Sequence, residues 1–166
     1  MEPPPPFDQA RIRELLPHRG AALLLERVVE VVPGKRAVGL KTIRAGDRFL
    51  DGHFPGQPVM PGAAIVECMA QLAGVLTALT IPKTVSRGGL ALLGIDRTRF
   101  RRPVFPDETL RIEITVLQRR DPVWKFHGIA WVGEEKAAEG TLKAGLLSDK
   151  GAWSLSSERS WRKEEE

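Results

Sequence analysis

The sequence predicts an α+β fold in which an antiparallel sheet wraps around one long helix. Three observations predict it. Residues 61–80 are apolar nearly all round and carry one charge, Glu67, as in a helix buried on most sides. Before that stretch, 23–32 and 35–44 are β-rich runs joined by the turn signal Pro33-Gly34. After it, Leu110, Ile112, Ile114 and Val116 alternate with Arg111, Glu113 and Thr115, the period of a half-buried strand.

The elements follow in order. A chain of 166 residues with 42% hydrophobic and 28% charged side chains suits one globular domain with a proper core. Residues 1–7 read as a flexible Pro-rich arm without the apolar centre of a signal peptide. Asp8 is placed to cap a short helix over 9–16 that Pro17 ends. In the hairpin that follows, Val38 and Leu40 are expected on one face, with Lys35 and Lys41 on the other. Residues 45–60 form a loop, and Pro61 fits the first turn of the central helix. Residues 82–89 read as a polar connection able to move. Strands are expected over 90–99, 110–118, 124–132 and 136–147, the last two joined by a turn at Gly133-Glu134-Glu135. The domain therefore spans 8–147. Residues 148–166 form a polar tail in which Trp153 and Trp161 could dock on the surface. No membrane span is expected, because 63–79 is short and contains Glu67 and Gln71. The single Cys68 excludes an internal disulfide, suits the reducing cytoplasm and is expected to be a packing residue.

Chemistry concentrates in Gly52-His53-Phe54-Pro55-Gly56-Gln57-Pro58-Val59-Met60-Pro61-Gly62 and the helix after it. Three glycines and three prolines within this run give the loop a strongly determined shape. Gly62 opens the helix with a bare N–H, and a helix N-terminus suits a developing negative charge. Glu67 lies about one turn in, and Gln71 at i+4 can hold its carboxylate. An imidazole, a carboxylate and a helix start on one segment form a set able to move protons beside a carbonyl. Burial is expected to raise the Glu67 pKa. Taken singly, His53 would be a loop residue, Glu67 a structural ion pair and the loop a tight reversal.

With Leu16-Pro17-His18-Arg19 and the run Gly94-Ile95-Asp96-Arg97 to Phe100-Arg101-Arg102-Pro103-Val104, this loop and helix resemble the β-hydroxyacyl-acyl carrier protein dehydratases of type II fatty-acid synthesis. The resemblance covers about 8–147 and implies the hot-dog fold. It implies that His53 and Glu67 form the catalytic pair, contributed by opposite subunits of a homodimer, which could assemble further into a trimer of dimers. By the same resemblance, Gly62 N–H would bind the thioester carbonyl and the Val59 carbonyl would orient His53. Glu at 67, where the isomerising sibling branch has Asp, implies the branch that only dehydrates. Two departures stand: Gln57 replaces a frequent His, and the chain has no Tyr to gate an acyl tunnel. Phe54, Ile65, Val66 and Met69 are the candidates for lining that tunnel.

The net charge is +4, and Arg97, Arg99, Arg101 and Arg102 cluster within six residues. A strand period puts the three odd-numbered ones on one face. The cluster is either a solvated strand edge or a landing patch for an acidic partner; the resemblance favours acyl carrier protein bearing a phosphopantetheine-linked substrate. No nucleic-acid motif, Cys/His ligand spacing or Gly-rich phosphate loop appears, so no nucleic acid, metal or cofactor is expected. His18 and His127 are expected to be structural or surface residues. Two rival readings remain, a hot-dog acyl thioesterase and a non-catalytic acyl-carrier-binding module.

Overall fold

The computed structural model describes residues 5–81 and 89–147. The expected tail at 148–166, the connection at 82–88 and residues 1–4 of the Pro-rich arm lie outside the described residues. Helix α1, Gln9–Leu15, starts where expected: the Asp8 carboxylate accepts from Arg11 N at 3.0 Å. Its one buried side chain, Ile12, seals it to the domain. Phe7 is not part of a free arm. It is 4% exposed and exchanges backbone hydrogen bonds of 2.8 and 3.0 Å with Val28, so the domain begins before residue 8.

Among the described residues, six strands form one antiparallel sheet: β1 Arg27–Val32, β2 Arg36–Thr42, β3 Leu90–Phe100, β4 Thr109–Arg120, β5 Val123–Val132 and β6 Glu135–Leu146. Their order across the sheet is β1-β2-β4-β5-β6-β3. Helix α2, Gly62–Thr80, lies along the sheet's inner face. The alternation read in β4 holds, with Leu110, Ile112 and Ile114 fully buried. Trp124 and Phe126 of β5, with Leu72 and Leu76 of α2, extend the same core. Truncating Leu72 to Ala would cost about 2–5 kcal/mol.

Two glycines set the depth at which α2 sits. A Cβ on Gly39 would fall 2.9 Å from Leu25 Cδ1 and 3.1 Å from Leu72 Cδ1. A Cβ on Gly128 would fall 2.9 Å from Met69 Sδ. The helix therefore presses its larger side chains where the sheet has none. By length and composition α2 could cross a membrane, which corrects the expectation that it is too short; 67% of its most apolar window is buried inside the fold, the position of a core helix.

The expected split of β2 into two faces holds, and the Lys41 face is the one turned inward. Ala37, Gly39 and Lys41 face inward, and the Lys41 side chain is only 6% exposed. Its ammonium lies 3.4 Å from Glu26 and 3.0 Å from Asp47, and 5.7 Å from the centre of the Phe49 ring. Two carboxylates repay the cost of burying that charge. Glu26 comes before the hairpin and Asp47 after the strand, so the strand period alone could not show that this charge is buried.

Candidate active site

The loop before α2 is folded by its own backbone. His53 N donates to Leu50 O at 3.0 Å, Phe54 and Gln57 exchange hydrogen bonds of 3.0 and 2.9 Å, and Val59 N donates to His53 O at 2.9 Å. Gly52 and Gly56, both at φ +75°, make the reversals that other residues rarely adopt. Met60 N then donates to Val104 O at 2.8 Å, which fixes the loop beside the end of β3.

The result aims His53. Its Nδ1 lies 2.7 Å from the Val59 carbonyl. A carbonyl only accepts, so Nδ1 carries the hydrogen and Nε2 is left basic. Phe54 stacks on the imidazole at 4.0 Å between ring centres and is 56% exposed. Helix α2 begins without a side-chain cap. Its first hydrogen bonds run from Ala64 and Ile65 to Pro61 O, so the Gly62 N–H has no acceptor among the described residues. A Cβ on Gly62 would sit 2.8 Å from the Phe100 ring, so that ring rests on the helix start.

Glu67 is held separately. Gln71 Nε2 donates to Glu67 Oε1 at 2.8 Å, the i+4 contact expected. Gln71 is itself 1% exposed and saturated: Nε2 also donates to Ala22 O at 2.7 Å, and Oε1 accepts from Leu24 N and Leu25 N at 2.9 and 3.1 Å. On its other side Glu67 Oε1 meets His18 Nε2 at 3.2 Å. His18 thus belongs to the site and is not an idle surface residue. The expectation for the carboxyl is reversed as well. The His18 hydrogen bond, joined by that of Gln71, outweighs burial and holds Glu67 below the usual carboxylate range. Burial pushes the neighbouring Cys68 thiol up to about 12, so it is an inert packing group.

Within one chain the two candidate catalytic residues do not meet. Among the described residues His53 bonds or stacks with Val59 and Phe54, and Glu67 with His18 and Gln71. The four tunnel candidates are not gathered either: Ile65, Val66 and Met69 are 2%, 6% and 1% exposed in the core, while Phe54 is on the surface.

The arginine cluster divides. A register shift between Asp96 and Arg99 interrupts β3, and Arg97 sits there at φ 49°, so the odd-numbered residues do not share one strand face. Arg101 pairs with Glu139, and Arg102 lies 2.6 Å from Glu108. Arg97 and Arg99 have no carboxylate partner among the described residues.

A helix-wrapping antiparallel sheet with this loop defines a FabA-like domain, and that domain matches residues 16–141. The chain is 48% identical over 136 residues to the 3-hydroxyacyl-[acyl-carrier-protein] dehydratase FabZ of Desulforamulus reducens, covering 82% of this chain and 94% of that one. It is 44% identical over 138 residues to the FabZ of Geotalea uraniireducens, covering 83% and 95%. Among solved structures it resembles the dehydratase heterocomplex ApeI:P from Xenorhabdus doucetiae, with a TM-score of 0.71 at 21% identity over 84% of this chain and 93% of that one. The E. coli PaaI protein gives 0.55 at 17% identity, covering 71% and 80%. These two neighbours establish the hot-dog fold. The chain belongs to the 3-hydroxyacyl-[acyl-carrier-protein] dehydratase family, the hydro-lyases of fatty-acid biosynthesis.

Proposed function

We propose that the chain removes water from (3R)-hydroxyacyl thioesters carried on acyl carrier protein and releases trans-2-enoyl thioesters. The observation that carries the chemistry is the hydrogen bond from His53 Nδ1 to Val59 O at 2.7 Å, which leaves Nε2 as the base. Nε2 takes the C2 proton, and charge moves to the thioester oxygen. The Gly62 N–H meets that charge, a donor worth about 3 kcal/mol in such sites. Collapse of the enolate forms the C2–C3 double bond and breaks the C3–O bond. The leaving hydroxide takes the proton from His53 Nε2, which restores the base and completes a water molecule. Glu67, held low by His18, is the carboxylate that accepts a hydrogen bond from the substrate hydroxyl and aims it. His53 thus serves as base and then acid.

The site is composite, with His53 of one protomer facing Glu67 of the partner subunit in a homodimer. The lack of contact between the two within one chain supports this reading. So does β3, an edge strand of 11 residues whose Ile95 and Phe100 are 48% and 53% exposed. Of the arginine cluster, Arg97 and Arg99, which have no carboxylate partner among the described residues, are the two that meet an acidic carrier. The free, buried Cys68 suits the cytoplasm. The test is incubation with a 3-hydroxyacyl thioester of acyl carrier protein. New enoyl absorbance supports dehydration, free thiol would assign a thioesterase, and no turnover would leave a carrier-binding module.

A further inference from the structure

Glu67 receives two hydrogen bonds on one oxygen, and the reaction above uses only the carboxylate. We propose that His18 is a positioning residue whose ring N–H fixes Glu67 as an oriented carboxylate, so that Glu67 accepts from the substrate hydroxyl and does not protonate it.

The argument begins with the other nitrogen. His18 Nδ1 is buried and has no hydrogen-bond partner among the described residues. Placing a hydrogen there, as the other neutral tautomer would, buries an N–H without an acceptor, which is unfavourable. The hydrogen therefore stays on Nε2, 3.2 Å from Glu67 Oε1. Gln71 presents a second N–H to the same oxygen at 2.8 Å, and its own oxygen is committed to Leu24 N and Leu25 N. Neither neighbour can accept a proton from Glu67 without rearranging. Both donors favour the ionised carboxyl, and Oε2 remains for the substrate.

The loop that carries His18 is anchored for this purpose. Arg19 Nη1 donates to Leu16 O and to His18 O, each at 2.7 Å. A Cβ on Gly74 would fall 2.9 Å from Leu16 Cδ2, so the loop closes onto α2 where the helix has no side chain. Of the groups facing Glu67 from α2 and from this loop, Gln71 does not titrate and Cys68 stays a neutral thiol. His18 is the one charged or titratable neighbour that acts on Glu67 among the described residues.

The proposal rests on the dehydratase reading for its kinetics but not for its titration. The full-length protein, labelled with 13C at glutamate carboxyls, is titrated by NMR, with Glu67 assigned by its loss in Glu67→Gln. In His18→Ala the Glu67 midpoint should rise by about one pH unit, and kcat should fall about tenfold with KM within about twofold. His18→Gln offers an N–H at similar reach but no titratable ring. It should return both the midpoint and kcat toward wild type. An unmoved midpoint in a folded His18→Ala protein overturns the proposal. So does a His18→Gln protein that regains the midpoint but not turnover, because His18 would then be carrying the proton. If the wild type forms no enoyl product yet the midpoint shifts as described, the dehydratase reading fails and the hold of His18 on Glu67 stands.

Discussion

His53 and His18 sit on two loops of one domain and are bonded in opposite senses. His53 gives the hydrogen on Nδ1 to a backbone carbonyl and leaves Nε2 bare at the surface of its loop. His18 gives the hydrogen on Nε2 to a carboxylate and keeps Nδ1 bare in the interior. In the proposed reaction one imidazole receives a proton from the substrate, and the other holds a neighbour still. The partner of the bonded nitrogen, and not the residue type, decides which task a histidine can perform.

The comparison is broken most directly by removing the base. His53→Gln keeps a donor for Val59 but loses basicity, and turnover should fall by about 100-fold or more in a folded protein. Glu67→Gln should lose a similar factor. Enoyl absorbance at saturating substrate measures both, and near-normal activity in either would take that residue out of the chemistry. The second test asks whether the two loops serve one site across chains. Mixing the two inactive variants with subunit exchange should restore about a quarter of wild-type turnover through hybrid dimers. No recovery despite demonstrated exchange would put both residues in one chain's site.

A weaker effect is expected where neither histidine is involved. Arg97→Glu with Arg99→Glu should raise KM for carrier-linked substrate about fivefold, more at low salt than at high. KM for the coenzyme A thioester should hardly change. Equal losses on both substrates would make the cluster structural.

The smallest expected effect sharpens the His18 half. Glu67 is held below its usual value of 4.5, so its contribution to stability is complete above that pH and is lost as pH falls through the lowered pKa. Wild-type Tm should therefore drop more steeply than that of Glu67→Gln between about pH 5 and pH 3. Parallel curves would mean that His18 does not favour the ionised form.

What the sequence could carry follows from range. The Gly52–Gly62 loop, the helix after it and the Glu67–Gln71 contact are local, and punctuation and period describe them. The inward face of β4 was legible because each of its apolar residues has polar neighbours in the chain. Lys41 was not, because Glu26 and Asp47 reach it only after the hairpin and the following loop have folded. The direction of the Glu67 pKa was missed for the same reason. Burial could be read from the apolar helix, whereas the opposing donor, His18, lies far away in the chain and arrives through the tertiary fold. The bulge in β3 leaves no mark in the alternation of its residues, so the arginines were assigned to one face.

Gln71 has a consequence for how the molecule fails. One amide joins Ala22, Leu24 and Leu25 to the carboxylate of Glu67, and all four of its hydrogen bonds are in use. The N-terminal segment contributes little to the sheet, yet the aim of the carboxylate depends on it. Heat or a protease that loosens that segment disarms the site while the sheet packed on α2 is still intact, so inactivation precedes melting.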